Sequence, residues 1–183
     1  MPSNPFHILG LSPRFDLDEV ALRRAYLTRV SAIHPDLAGA EDAQASGQTD
    51  GQAASAELNH AREILANPET RASALLDILG GPSKESDKSL PPGFLMGIME
   101  TREAIETSLA GSQAERIRWL AWGTQQRESF IARVRDQFTA AASSPTPDAL
   151  RQIRTTLNAW RYIERLIEQL DPAYDPGDAD FSA

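Results

Sequence analysis

His34, Pro35 and Asp36 set an imidazole, a fixed backbone angle and a carboxylate side by side. Proline holds φ near about −65° and offers no N–H, while the imidazole can donate or accept and the ionised carboxylate only accepts. Three such groups at the end of a rigid helix can meet a partner together. They cannot do hydrolytic chemistry alone: His34 and Asp36 are too close in sequence, and no third group is identifiable for a triad or a metal site. His7 and His60, the other two histidines, read as surface or packing residues. There is no glycine-rich phosphate loop. With no cysteine there is no disulfide, thiolate zinc site or cysteine-ligated cluster, so neither cofactor nor metal is expected.

The element that must position the tripeptide is the stretch Asp16 to Leu37. Asp16 reads as an N-cap, with Glu19 completing a capping box and Phe15 and Val20 placed as a hydrophobic staple. Leu22, Tyr26, Val30 and Ile33 recur at helical spacing as one apolar stripe. Arg24 points almost directly away from that stripe and Arg23 lies on its flank. Pro35 disfavours the α region at His34, so the helix should end near Ile33.

Around it, Asn4 to Leu11 predicts a short helix capped by Asn4 with Pro5 at its first position. Ala38 to Ala54 is rich in Ala, Gly, Gln, Ser and acidic residues and reads as a mobile loop. Helices follow at Ala56–Leu65 and Pro68–Leu79, the first packing its stripe against the central helix. Gly80 to Pro92 reads as a linker and holds the chain's only lysines, Lys84 and Lys88. Beyond it, three helical segments predict an antiparallel bundle. The first buries Phe94, Ile98, Ile105 and Leu109. The second offers Ile117, Leu120, Ile131, Val134 and Phe138, interrupted at Thr124 and Arg127. The third starts at Thr146-Pro147 and carries Leu150, Ile153, Leu157, Trp160 and Ile167, broken at Glu164.

The expected fold class is all-α. Residues 1–81 form one domain, 82–91 a linker, 92–170 a three-helix bundle, and 171–183 an acidic disordered tail. A net charge of −8 over 183 residues argues against nucleic acid as a partner. No apolar run spans a bilayer and the N-terminus lacks the features of a targeting segment, so the expected location is the cytoplasm.

The basic-faced helix ending in His34-Pro35-Asp36 resembles the J domain of DnaJ-type co-chaperones. The junction narrows this. Leu58-Asn59-His60-Ala61, Asn67-Pro68, Arg71-Ala72 and Leu75-Leu76, then Phe94-Leu95-Met96, Met99-Glu100, Arg102-Glu103 and Arg161-Tyr162, are similar to the HscB family, J-type co-chaperones of iron–sulfur cluster assembly. That resemblance implies an N-terminal J domain, a helical hairpin with its HPD loop, joined to a C-terminal three-helix bundle. It implies that Arg23, Arg24, His34, Pro35 and Asp36 meet a DnaK/HscA-type chaperone and stimulate its ATPase; with no phosphate loop in this sequence, ATP should bind the partner and not this chain. It implies that Leu95, Met96, Met99, Glu100, Glu103 and Tyr162 hold an IscU-type scaffold protein.

The residues of the first bundle helix support a binding role on their own. Met96, Met99, Glu100 and Glu103 fall on a face well away from the core stripe, with Leu95 between the two. Methionine suits adaptable contacts, although Met96 and Met99 could instead thicken the core edge. The sequence also departs from the family. Leu27, Thr28, Ala32 and Leu37 stand where J domains usually carry lysine or arginine, and Arg62 where relatives often have an aromatic residue. Two alternatives remain open: a J-domain adaptor for a different client, and a structural helical protein in which the tripeptide is a chance turn.

Overall fold

Asn4 opens the first helix, α1 (Pro5–Leu9), accepting at its Oδ1 from the N–H groups of Phe6 and His7 at 3.0 and 3.3 Å. Gly10, at φ 70°, ends it in the left-handed conformation that glycine adopts without strain, its N–H returned to the His7 carbonyl. Phe6 and Leu9 are buried. The computed structural model describes residues 4–33, 47–109, 113–142, 144–171 and 173. His34, Pro35, Asp36 and Leu37 therefore lie outside the described residues, as do most of the expected 38–54 loop and nearly all of the expected acidic tail.

The central helix is α2 (Glu19–Ile33). Its cap is Asp18 and not Asp16: the Asp18 Oδ1 accepts from Val20 N at 3.0 Å and its carbonyl from Leu22 N at 2.9 Å. Two aspartates two residues apart offer alternative starts. Phe15, buried with the Arg71 guanidinium 5.4 Å from its ring centre, belongs to the non-helical stretch before the later one. The staple positions move accordingly to Leu17 and Leu22, leaving Val20 exposed.

The next helix, α3 (Gly47–Ala66), begins inside the segment expected to be a loop. The composition of that segment, which lacks anything to bury, hides good helix formers in Gln48, Gln52, Ala53 and Ala54. The helices α2 and α3 are antiparallel: Tyr26 Oη donates to Asn59 Oδ1 at 2.6 Å, while Ile33, further along α2, lines the same cleft as Ala54, earlier in α3. Arg62 lies over the Tyr26 ring at 5.3 Å, so the position expected to want an aromatic residue stacks its guanidinium on one instead. Asn67 caps α4 (Pro68–Ile78), and Arg71 Nη1 donates to the Leu65 carbonyl at 2.6 Å.

The chain divides into two compact units between Leu75 and Leu76, within α4, whereas the sequence places the boundary after Gly81. In the second unit Gly80 and Gly81 close α4 through bonds to the Asp77 and Leu76 carbonyls. Residues 82–91 are then held along the last helix, as described below. The bundle consists of α5 (Phe94–Leu109), α6 (Gln113–Ala141) and α7 (Pro147–Leu170). Thr146 Oγ1 caps α7 by accepting from Ala149 N at 3.2 Å. Ile98, Ile105, Phe130, Val134, Ile153, Leu157 and Trp160 fill the core. Ile117, assigned to the α6 stripe by spacing, is exposed: it falls on the flank of the buried line, while its neighbour Arg116 reaches the Leu170 carbonyl from Nη1 at 3.3 Å. Among the described residues all regular structure is helical, and no helix is long and apolar enough to cross a membrane.

Candidate functional site

Two surfaces, one on each unit, carry the residues singled out from the sequence. In the first unit Arg23 and Arg24 are exposed on α2, turned from the side that buries Leu22 and half-buries Tyr26, Val30 and Ile33. Val20 and Leu27 are exposed there as well, at 66% and 53%. Neither stands out in the sequence, where Val20 fits a staple and Leu27 occupies a position usually held by a cation. Their seven-residue spacing is the signal that could have found them. His34, Pro35 and Asp36 follow α2 directly in the chain but lie outside the described residues.

In the second unit α5 presents two faces. Ile98 and Ile105 are buried and Phe94 is half-buried. Leu95, Met96 and Met99 are 50%, 68% and 63% exposed, with Glu100 and Glu103 exposed among them. The methionines therefore do not thicken the core edge. They form an apolar patch bordered by carboxylates, the composition of a surface that adapts to a partner.

Tyr162 reaches the same region from α7. Its ring meets Phe94 edge-on, centroids 5.8 Å apart at 74°, and Phe94 in turn meets Phe130 at 6.4 Å and 87°. Half-buried, Tyr162 keeps part of its ring at the surface while its packing anchors the start of α5.

The surface is braced by contacts that spacing alone did not reveal. Asn158, one turn before Tyr162 on α7, donates from Nδ2 to the carbonyls of Asp87 and Ser89, both at 3.0 Å. One further turn back, the buried Arg154 donates from Nε to the Pro82 carbonyl at 2.9 Å. The 82–91 segment is thus a strap along α7. Local electrostatics agree: the Ser89 side chain holds the Asp87 carboxyl below its usual value and Ser83 does the same for Glu85, with Arg154 adding to both. A polar residue at a core-facing position, Arg154, was the available signal.

A short N-terminal helix, an antiparallel helical pair and a C-terminal three-helix bundle define the all-α, J-domain class of protein. Comparisons with known proteins make this specific. Residues 90–171 match the family described as the HSCB C-terminal oligomerisation domain. The mitochondrial J-type co-chaperone jac1 of Schizosaccharomyces pombe is 33% identical over 157 residues; the match takes in 85% of this chain but 65% of that protein's length. A co-chaperone protein HscB homolog of Burkholderia cenocepacia is 32% identical over 168 residues, 88% of this chain and 94% of the relative. In fold, chaperone HscB from Vibrio cholerae superposes with a TM-score of 0.74 at 22% identity, covering 93% of this chain and 96% of the other. Human co-chaperone protein HscB gives 0.76 at 20% identity, covering 93% and 82%. The chain belongs to the HscB co-chaperone family.

Proposed function

We propose that this protein delivers an IscU-type iron–sulfur scaffold protein to a DnaK/HscA-type chaperone and stimulates that chaperone's ATPase, in the cytoplasm. The observation that carries the proposal is the exposed Leu95, Met96 and Met99 patch on α5, edged by Glu100 and Glu103 and joined to Tyr162 through Phe94. Membership of the HscB family supports the same reading. The scaffold docks on this patch, burying the methionines, while the carboxylates select for a partner with basic groups at the rim.

The other end of the exchange is the first unit. Arg23 and Arg24 approach the chaperone, and His34, Pro35 and Asp36 engage it. Binding both ligands on one chain raises the effective concentration of scaffold at the chaperone, and bond cleavage stays with the partner's ATP site. No nucleophile–base pair is assigned to this chain.

Paired variants test the proposal. His34→Gln should abolish ATPase stimulation and leave scaffold binding intact. Met96→Ser/Met99→Ser should do the reverse, keeping scaffold-independent stimulation while weakening scaffold binding. Normal stimulation by His34→Gln would contradict the chaperone half of the reading, and normal scaffold binding by the methionine variant the other half.

A further inference from the structure

At 3.6 residues per turn, Val20 and Leu27 stand one above the other on α2, two turns apart, with Arg23 and Arg24 on opposite flanks of the line between them. All four are exposed. Neither arginine has an ion-pair partner among the described residues. A single exposed apolar side chain needs no explanation. Two of them aligned along a helix and bracketed by unneutralised cations, on a chain of net charge −8, form a pattern with a complement.

Two exposed arginines alone would make a poor docking face, since each exposed ion pair contributes little and is screened by salt. An apolar centre changes this. Covering Val20 and Leu27 removes water from between the guanidinium groups and the carboxylates they meet, and the attraction grows as the local dielectric falls. Apolar centres with charged rims are the ordinary anatomy of protein interfaces.

We infer that Val20 and Leu27 are the apolar centre of the chaperone-docking face and Arg23 and Arg24 its rim, so that the partner presents an apolar spot edged by carboxylates. This rests on the chaperone-activating role proposed above. The strip lies on α2, whose last residue, Ile33, directly precedes His34 in the sequence.

The test is ATPase stimulation of the ATP-loaded DnaK-type chaperone from the same genome, titrated with the full chain at low and at high salt. Val20→Gln/Leu27→Gln preserves helix propensity and should leave the thermal midpoint in place. It should raise the half-maximal concentration about tenfold at both salts, equivalent to about 1.4 kcal/mol. Arg23→Gln/Arg24→Gln should weaken stimulation chiefly at low salt, flattening the salt dependence. An unchanged half-maximal concentration for Val20→Gln/Leu27→Gln, with stimulation still lost in His34→Gln, would overturn this inference and leave the chaperone role standing. No stimulation by the unaltered chain, or none lost in His34→Gln, would overturn that role and the inference with it.

Discussion

Arg127 and Glu164 are partners, the Nε of one 3.1 Å from the Oε1 of the other and both side chains buried between α6 and α7. Trp160 Nε1 donates to the same Glu164 oxygen at 2.6 Å. Each residue by itself looks like a fault in an apolar stripe. Together they set the register of two antiparallel helices, in which Gly123 also faces Ile167 and Gln137 Nε2 donates to Thr156 Oγ1 at 3.1 Å.

Removing one partner should cost more than removing both. Glu164→Leu takes the carboxylate from the buried Arg127 guanidinium and from the Trp160 N–H and should destabilise the protein by about 3–5 kcal/mol, whereas Arg127→Met/Glu164→Leu should recover the guanidinium's share, the Trp160 N–H still lacking its acceptor. Urea unfolding measures the difference; a double variant as unstable as the single one would contradict the pairing.

Gly123 is required by proximity and not by backbone angle. A Cβ there would stand 2.8 Å from Ile167 Cγ1. Gly123→Ala should gain up to about 1 kcal/mol of helix propensity and lose about 1–3 kcal/mol to overpacking. Net destabilisation is expected by thermal unfolding, and a raised midpoint would show that the helices separate freely.

The strap along α7 can be read with one protease. Lys84 and Lys88 are the chain's only lysines and both lie exposed in it. Asn158→Ala removes both bonds to the Asp87 and Ser89 carbonyls and should accelerate cleavage by a lysine-specific protease several-fold, since cutting follows the population of the open segment. An unchanged rate would mean that the strap is not held by Asn158.

The strap should also loosen in acid. Folding lowers the Asp87 carboxyl below its ordinary 3.8, first through the Ser89 side chain, then the Ser89 backbone N–H and the charges of Arg154 and Arg151. Its stabilisation is therefore present above that value and is lost as pH falls through the folded one. Ser89→Ala should move the Asp87 titration, followed by its carboxyl carbon resonance, upward; an unmoved titration would remove the side chain as the cause.

Periodicity made the helices legible, because each buries a stripe: Ile98 and Ile105, or Ile153, Leu157 and Trp160, are core residues where spacing puts them. The exposed face of α5 was legible for the same reason, being what remains once the stripe is assigned. Less legible was whatever depends on a distant partner. Asp16 and Asp18 are equivalent caps until the start of α2 settles the register, and Arg127 is an interruption until Glu164 faces it. The strap was read as a linker because nothing local says that Asn158 will bind its carbonyls. The early start of α3 escaped for a different reason: an Ala- and Gln-rich segment can be helical with little to bury.

The most direct test of the central claim is calorimetric titration of the full chain with the IscU-type scaffold from the same source. Micromolar binding is expected. Met96→Ser/Met99→Ser should weaken it tenfold or more, a loss of about 1.4 kcal/mol, with the fold intact by circular dichroism. No detectable binding by the unaltered chain in calorimetry and in an orthogonal assay, or equal binding by the variant, would contradict the assignment of the α5 surface to this client.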